Sequence, residues 1–508
     1  MTRRRPAIQH PFPDPVYLET VLKPVFEQAA KHLFQPLIEI NLAHAEMLEQ
    51  CGILKKLHSS KIRKALTRLC LDRDKLGSRG YAGEEEDLYF YVEKQLAGLC
   101  GADISGHLSV ARSRNDVDIA LYRMVLRSEI LETSNRVRQL RSAVLSLAGR
   151  HLDSIFPVVT HTQPAQPSTM AHYLLAVCEF LERDQARLKH AFEITNQSPL
   201  GACVATTTGF SIDRTLMASL LGFDRVLENA YGCIAATDYV LEATGAIQTM
   251  MIHLGRVVQD FLVWSTPDSG LLRLPDGFVQ CSSIMPQKRN PVALEHLRVL
   301  ASLAVGHCQT VAAALHNTPF GDIVDAEDDL QPAVRSVFSY SSRVLELLTA
   351  VLETAEFQVE KARIKCQSGE TTLTELADTL VRQHGLPFRT AHQITSRIAK
   401  RLRMSPQRRK GETPFEKISV LLEEISGSVT GDSLRIPPQQ VERILDPVHF
   451  VKIRRIFGGP APPTVKRSLK TRQRNLEQDR LWLAKRLKQM KQYQRKLFER
   501  GSRPRGDI

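Results

Sequence analysis

The sequence has little of what marks a disulfide-rich, zinc-binding or membrane protein. Its nine cysteines are scattered, odd in number and without a C-x-x-C pair, so neither a disulfide framework nor a zinc site is predicted. Nowhere do about 18 apolar residues follow one another, and the basic start MTRRRPAIQHPFPDP has no apolar segment ahead of its prolines. We therefore expect reduced thiols, no metal site, no membrane span and a cytoplasmic protein.

Aromatic residues are also scarce, at 6% of 508 residues, which is too few for most β-sandwiches or barrels. A helical fold is therefore favoured, in a chain long enough for about two to four domains. The formal net charge of +13 suggests a nucleic-acid partner until its distribution is considered. Residues 466–508 hold fifteen Lys or Arg and four acids, which is +11 of that total. The rest of the chain is nearly neutral, so nucleic acid is not the expected partner.

The middle of the chain consists of long amphipathic segments. Each exceeds about 25 residues, has few internal Gly or Pro, and carries apolar residues three and four positions apart. The five segments are 115–152, 168–196, 235–265, 289–316 and 328–356. Helices of this length, roughly 40 Å at 1.5 Å per residue, outreach one globular core and usually bury a face against other subunits. A homo-oligomer built on a central helical bundle is therefore predicted.

Changes of texture and turn signals along the chain divide it into four regions. We predict an N-terminal helical domain at 1–112, a central bundle of long helices at 113–360, a small helical C-terminal domain at 361–465 and a basic helical tail at 466–508.

In the tail, an apolar residue recurs every seven positions. The repeat consists of Leu469, Leu476, Leu483, Met490 and Leu497. This pattern favours one terminal helix that packs a single apolar stripe on the body. A coiled-coil or RNA-binding role is the alternative.

The first polar motif on this apolar background is Arg112-Ser113-Arg114-Asn115-Asp116, where an irregular segment enters a long helix. A helix N-terminus offers free N–H groups, and Ser113, Arg114 and Asn115 add donors that suit a carboxylate. The motif is therefore interpreted as an anion clamp. A helix cap with a surface ion pair is the alternative.

The second polar motif, T-H-T-Q-P-A-Q-P at 160–167, is a run of hydrogen-bonding side chains punctuated by prolines ahead of an apolar helix. The prolines fix the loop and start the helix, so a purely structural loop is one interpretation. His161 is the one side chain in it that can exchange a proton near neutral pH, which favours acid–base chemistry.

The third polar motif, C-S-S-I-M-P-Q-K-R-N-P at 281–291, is followed by Glu295. It begins in a loop containing Gly and Pro and ends where a helix starts. Ser282 therefore lies on a segment able to move, while Lys288 and Asn290 lie near a fixed helix end. A lone loop serine is usually a solvated hydroxyl. A loop serine, a lysine, an asparagine and a helix-borne carboxylate together are far more specific for a catalytic site.

In this order and at these separations, the three motifs resemble the signature regions of the fumarase/aspartase superfamily. The third matches its G-S-S-x-M-P-x-K-x-N-P signature, except that Cys281 replaces the glycine. S-R-N-D at 113–116, T-H-x-Q-x-A-Q-P at 160–167 and M-P-Q-K-x-N-P at 285–291 are similar to the argininosuccinate lyase branch. The resemblance runs from about residue 15 to 465 and includes G-G-P-A-P at 458–462.

The resemblance implies an all-α, three-domain subunit whose long central helices form a twenty-helix core in a homotetramer, with each active site assembled from three subunits. It also implies a C–N lyase without a cofactor that converts argininosuccinate to arginine and fumarate by anti-elimination, as in arginine biosynthesis. The implied catalytic residues are the base Ser282 and the pair His161 and Glu295. The implied ligands of the substrate are Ser113, Arg114, Asn115, Thr160, Gln163, Lys288 and Asn290.

Such chemistry accounts for these residue types. Removing a carbon-bound proton beside a carboxylate creates a doubly negative aci-carboxylate, which Lys288, Asn290 and a helix N-terminus are suited to stabilise. Serine is a poor base unless a closed loop excludes water and directs N–H groups and a cation at its oxygen. On the opposite face, an imidazolium at His161 steadied by Glu295 is suited to protonate the leaving nitrogen.

Some positions depart from the family pattern. Residues 109–111 read Ser-Val-Ala where the family has His-Thr-Gly, and Val117 replaces the glutamine after S-R-N-D. Where the family commonly has Tyr…Gln-x-x-Lys to hold the amino-acid end of the arginine moiety, this chain has Asp322, Glu327 and Leu330. The two acids favour a cationic group and hence a different amine adduct of fumarate. A solvated first turn of a helix that begins near Glu327 is the alternative.

Besides the RNA-binding role of the tail named above, three classes of function stay open at this point. The first is elimination of argininosuccinate, and the second is the same reaction on a different N-substituted succinate. The third is a non-catalytic, crystallin-like structural protein on the same scaffold. The joint presence of Ser282, His161, Lys288, Asn290 and Glu295 favours a catalyst. The expected partners are a small-molecule substrate and further copies of the chain, with no membrane.

Overall fold

The computed structural model describes residues 12–72, 81, 83–368, 370–404 and 412–502. Helices make up 72% of the described residues, and the strands among them are few and short, which confirms the all-α prediction. The twenty-helix core belongs to an assembly and stays a prediction, as do the four domain boundaries. Residues 1–11 of the predicted N-terminal domain and 503–508 of the predicted tail lie outside the described residues.

The N-terminal helices pack around α3, which is buried on nearly every face. Asp87 caps α5 by accepting from the Phe90 N–H, and Gly101 ends this helix at φ +91, a conformation that glycine adopts without strain. The elements are α1 (Pro15–Tyr17), a π-helical turn (Leu18–Leu22), α2 (Lys23–His32), α3 (Phe34–Gln50), α4 (Lys56–Leu71), α5 (Leu88–Cys100), α6 (Ala102–Ser105) and a 3-10 turn (Gly106–Ser109).

Five long helices form the central bundle and share one apolar core. They are α7 (Arg114–Arg150), α8 (Met170–Thr195), α11 (Asp238–Ser265), α12 (Val292–Leu315) and α13 (Gln331–Thr354). Two short helices, α9 (Arg214–Leu220) and α10 (Ala230–Ala235), lie in the connection between α8 and α11. Thr169 caps α8 by accepting from the His172 N–H, and α7 packs against both α8 and α13.

Strands occur as four two-stranded pairs in the described part of the chain. The largest is the antiparallel hairpin of β1 (Ile155–Thr160) and β2 (Gln163–Thr169), between α7 and α8. The short strands are β3 (Gln197–Ser198), β4 (Arg225–Val226), β5 (Leu272–Arg273), β6 (Gln280–Cys281), β7 (Arg289–Asn290) and β8 (Glu356–Phe357). They pair as β3 with β4, β5 with β8 and β6 with β7.

Six helices make up the described part of the C-terminal region, and the four within residues 373–445 share a separate apolar cluster. The six helices are α14 (Val359–Ser368), α15 (Leu373–His384), α16 (Phe388–Met404), α17 (Pro414–Thr430), α18 (Pro438–Leu445) and α19 (Pro447–Ile453). Gly385 and Gly431 end α15 and α17 in the left-handed conformation at φ +68 and +86. A buried carboxylate, Glu375, is paired with Arg382 and Arg454 and so joins α15 to the segment after α19.

The basic tail is a single helix of 41 residues, α20 (Pro462–Ser502), that packs along α7 and α8 and reaches α3 and α4. Its apolar stripe lies against the body, with Leu469, Leu483 and Leu497 buried and Leu476 and Met490 partly buried. Since α20 contacts both the central bundle and the N-terminal helices, it ties the two together.

Candidate active site

The first polar motif begins α7. Ser113 and Asp116 form a reciprocal capping box, in which the Ser113 side chain accepts from the backbone at Asp116 and Asp116 Oδ1 accepts from the Ser113 N–H at 3.1 Å. Asp116 Oδ2 also accepts from the N–H groups of Gly201 at 2.8 Å and Cys203 at 3.0 Å. Asp116 is therefore the anchor that holds the start of α7 to the loop after β3.

Sequence reasoning leaves a helix cap open as the alternative for this motif, but it assigns site roles only to Ser113, Arg114 and Asn115. Burial raises the pKa of Asp116 to about 6, against the lowering effect of its three backbone hydrogen bonds. A signal for this residue was present, because an acid three positions after a capping serine is typical of a capping box.

Arg114 is paired within the chain. Its guanidinium lies 2.8 Å from the Asp87 carboxylate and 3.1 Å from that of Glu86. Two carboxylates therefore already face the cation that was predicted to hold the substrate.

Asn115 joins the first motif to the acidic segment. Its Nδ2 donates to Asp322 Oδ2 at 2.5 Å, while its Oδ1 accepts from the Ser113 hydroxyl at 2.7 Å. Beside this contact, burial together with the charge of Asp322 and a hydrogen bond to it raises the pKa of Glu327 to about 7. The structure therefore brings Ser113, Asn115, Asp322 and Glu327 together.

The acidic segment is not the first turn of a helix. A 3-10 turn spans Val324–Ala326, and α13 begins only at Gln331, with a proline in its first turn. Asp328 precedes the helix and accepts from the Tyr122 hydroxyl at 2.8 Å. The expected helix start near Glu327 is therefore wrong by four residues, because Pro332 favours the first turn of a helix and sets the start there.

The second polar motif forms the tip of the β1–β2 hairpin and not a simple loop. His161 and Thr162 lie at the tip with φ of +50 and +63, and the side chains of Thr160, His161 and Gln163 are exposed. Pro164 and Pro167 lie within β2. A two-stranded hairpin leaves one edge of each strand unpaired, so prolines without an N–H are tolerated there.

The third polar motif lies on a loop closed by β6 and β7, in which Cys281 pairs with Arg289 and Gln280 with Asn290. Ser282 Oγ accepts from the backbone N–H groups of Ile284 at 3.4 Å and Met285 at 3.2 Å. These N–H groups give Ser282 part of the stabilisation that an alkoxide would need.

Around that serine, the loop is anchored at its base and open at its tip. Arg289 pairs with Asp276 and donates to the Leu274 carbonyl at 2.9 Å, which fixes the base. Lys288 is exposed, and Ile284 at the tip is 83% exposed.

Glu295 lies in the first turn of α12 with its side chain exposed. Across the described residues, no hydrogen bond or ion pair joins Glu295 to His161. The pair implied by the resemblance is therefore not formed inside one chain.

The predicted site residues fall at two opposite ends of the central bundle. α7 has 37 residues, about 55 Å at 1.5 Å per residue, with Arg114 at its first position and the hairpin beyond its last. Tyr122 bonds to Asp328 ahead of α13, and Arg136 pairs with Glu346 further along, so α13 runs in the same direction as α7. α12 packs against α13 after a short connection and therefore runs the opposite way.

The start of α12 consequently lies at the hairpin end of the bundle. The pairing of β5 with β8, which precede α12 and follow α13, is consistent with this, as is the ring contact between His151 and Phe357. One end of the bundle holds Ser113, Arg114, Asn115, Asp322 and Glu327. The other end holds Thr160, His161, Gln163, Ser282, Lys288, Asn290 and Glu295.

Comparison with known proteins gives consistent matches. Residues 83–306 match the family model described as Lyase, and residues 370–452 match the model described as Argininosuccinate lyase C-terminal. The chain is 42% identical to argininosuccinate lyase 2 of Agrobacterium fabrum, over 89% of this chain and 88% of that protein. It is 34% identical to argininosuccinate lyase of Methanosarcina barkeri, over 90% of each.

Two solved structures of EDDS lyase are similar as well. The complex with formate has a TM-score of 0.85 and the variant with bound fumarate one of 0.84, each at 29% identity over 93% of this chain and 92% of that one.

Proposed function

Because the chain belongs to the argininosuccinate lyase family, we propose that it eliminates fumarate from argininosuccinate and releases arginine. The reaction is an anti-elimination without a cofactor. A base removes a proton from the carbon next to one succinyl carboxylate. The bond between the adjacent carbon and nitrogen then breaks, its electron pair leaves with the nitrogen, and that nitrogen takes up a proton.

In this proposal Ser282 is the base. The geometry of its loop supports a catalytic role for Ser282 rather than a purely structural one, because two backbone N–H groups are directed at Ser282 Oγ. A closing motion of the exposed loop would exclude water and make the alkoxide more basic.

The remaining predicted residues bind the substrate or supply a proton. Lys288 and Asn290, with Thr160, Gln163 and the N-terminal end of α7 at Ser113 and Asn115, are proposed to hold the carboxylates and stabilise the dianion. His161, steadied by Glu295, is proposed to protonate the leaving nitrogen. Arg114 would reach the substrate only by exchanging its ion pairs with Glu86 and Asp87.

A complete site requires more than one copy of the chain. The residues of the two bundle ends are separated within one subunit by a helix of about 55 Å, so antiparallel packing of subunits is proposed to bring opposite ends together. Support comes from α12, which is rich in apolar residues but only 33% buried along its most apolar part. Four copies of the five long helices would give a twenty-helix core, and we propose such a homotetramer, in the cytoplasm.

The direct test is to incubate the purified protein with argininosuccinate and to follow fumarate by its absorbance and arginine by amino-acid analysis. We expect the two products in equal amounts. No fumarate at high enzyme concentration would exclude argininosuccinate as the substrate.

A second candidate is the same elimination on a different amine adduct of fumarate. It is favoured by Asp322 and Glu327, which present acidic groups beside Asn115 and suit a cationic amine half. An N-succinyl diamine, which has a cation but no amino-acid carboxylate, separates the two candidates. Faster release of fumarate from this compound than from argininosuccinate would favour the second.

If a folded tetramer released fumarate from neither compound, the crystallin-like structural role would be the remaining candidate.

A further inference from the structure

The outward face of α20 carries cations without acidic partners. Lys466, Arg467, Lys470, Arg474, Lys485, Lys488, Lys491 and Lys496 are all exposed. Within the described part of the chain, none of these eight has an ion pair, whereas the nearby cations Arg480 and Arg495 are paired with Glu477 and Glu499. These eight residues are called the basic stripe below.

The basic stripe lies along one side of the helix. At 3.6 residues per turn its members fall within roughly a 140° arc, on the side opposite the buried apolar stripe. From Lys466 to Lys496 it extends over about 45 Å at 1.5 Å per residue. A straight helix fixed to the body at both ends of this span therefore holds the cations in a rigid row.

The cations of the basic stripe fall into two groups and are not evenly spaced along the helix. The first group is Lys466, Arg467, Lys470 and Arg474, and the second is Lys485, Lys488, Lys491 and Lys496. Between the groups, the charged residues that face outward are the mutually paired Glu477 and Arg480. The centres of the two groups are about 31 Å apart at 1.5 Å per residue, close to the roughly 34 Å helical repeat of a nucleic-acid duplex.

We propose that the basic stripe of α20 binds the phosphate backbone of double-stranded nucleic acid without sequence preference, with the two groups of cations meeting phosphates one duplex turn apart. A helix lying along the duplex meets the walls of a groove once in each turn, which matches the spacing of the groups. This function is separate from the proposed elimination reaction.

Other polyanions fit the surface less well. Stacking on single-stranded bases needs outward aromatic rings, whereas Trp482 packs against Phe192 and Tyr493 bonds to buried Arg127. A membrane surface requires an apolar face to insert, and the large apolar residues exposed on the described tail are two leucines, Leu481 and Leu487.

The test measures binding of the full-length protein to a fluorescent 24-base-pair DNA duplex of random sequence, by anisotropy, at several salt concentrations. With eight phosphates neutralised, the logarithm of the affinity should fall with the logarithm of salt with a slope of about −7, and affinity should drop about 10³–10⁵-fold between 50 and 200 mM. An 8-base-pair duplex, shorter than one turn, should give about half that slope, because it reaches only one group.

Two matched variants locate the surface. Replacing the second group, by K485Q, K488Q, K491Q and K496Q together, should reduce the slope on the long duplex by about 4. The control removes four exposed cations of the C-terminal helices, by R389Q, K400Q, R403Q and K452Q, and should leave the slope unchanged. Fumarate production should be the same in both variants, which shows that they are folded.

The proposal is overturned if the long duplex binds without salt dependence, or if the control variant loses as much affinity as the stripe variant. It is also overturned if a single strand of the same length, or vesicles containing anionic lipid, bind as tightly as the duplex. Equal slopes for the 8- and 24-base-pair duplexes would refute the match to one duplex turn.

Discussion

Polar groups along the inner face of the tail helix have partners, whereas the charged groups of the predicted site at the hairpin end of the central bundle have none among the described residues. Along α20, the buried guanidinium of Arg141 lies between Asp479 and Glu182, and Tyr493 bonds both Arg127 and Glu39. At the hairpin end of the bundle, His161, Lys288 and Glu295 are exposed and unpaired within the described chain.

Burial and pairing separate the structural from the functional polar residues of one subunit. A buried charge is costly unless it is paired, so the contacts of α20 belong to folding. Charged groups that the fold leaves open at the hairpin end of the bundle are available to a substrate or to another copy of the chain. Substitutions in the two regions should therefore affect different measurements.

The largest effect on catalysis is expected from Ser282→Ala. If Ser282 removes the substrate proton, its loss should lower kcat by about 10²–10⁴-fold. The melting temperature should not change, because Ser282 makes only two long hydrogen bonds within its own loop. Ser283→Ala, an exposed neighbour, is the matched control and should retain activity. Equal kcat values for the two variants would remove Ser282 from the mechanism.

The largest effect on stability is expected from Asp479→Asn. This change leaves the fully buried Arg141 with Glu182 alone and takes a partner from Lys189, at a cost of about 3 kcal/mol in the free energy of unfolding. Glu477→Gln removes an exposed carboxylate two residues away, and its cost should be below about 1 kcal/mol. Urea unfolding measures both. A variant at Asp479 as stable as the one at Glu477 would show that α20 is not held by this contact.

A smaller, pH-dependent effect is expected at Asp116. Because its pKa is raised to about 6 in the folded chain, the folded state binds the proton more tightly than the unfolded state does. The contribution of Asp116 to stability is therefore largest at low pH, and it falls as pH rises from about 4 to about 6, by up to about 3 kcal/mol.

Unfolding curves of the wild type and of Asp116→Asn between pH 4.5 and 7 isolate this effect. The stability of the wild type relative to the variant should decline with rising pH across that window. A constant difference would mean that Asp116 does not titrate there.

The smallest effect is expected from Glu327. Its pKa of about 7 means that it gains negative charge as pH rises through neutrality. For a substrate with a cationic amine half, KM should fall a few-fold between about pH 6 and pH 8, because the ionised carboxylate attracts the cation. Glu327→Gln should flatten this profile, while Asp325→Asn, an exposed acid nearby, should not. A profile unchanged by Glu327→Gln would place the substrate elsewhere.

Much of the fold could be predicted from periodicity. The five long central helices begin and end within three residues of the predicted segments, as with 235–265 against Asp238–Ser265. Long amphipathic helices give a repeated signal over many turns, so errors in single residues cancel. The β1–β2 hairpin was missed because Pro164 and Pro167 are typical of loops, and the unpaired edge that tolerates them depends on tertiary context.

The candidate site was less accessible to sequence reasoning. The motifs show which residue types the site contains. They do not show that Arg114 is paired with Glu86 and Asp87, because these acids lie outside the motif, earlier in the chain. Nor could spacing show that Asn115 and Ser282 lie at opposite ends of a helical bundle. The distance between two motifs in the fold depends on which helices run parallel, and no local pattern in a single sequence shows the direction of one helix relative to another.

The central claim is that one site takes residues from opposite ends of different subunits. Co-expression of Ser282→Ala and Asn115→Ala chains with different tags, followed by purification of the mixed oligomers, tests it most directly. Each variant alone should be nearly inactive, and the mixed oligomers should regain activity, because some sites then combine an intact Ser282 with an intact Asn115 from separate chains. Mixed oligomers as inactive as their parents would contradict the account.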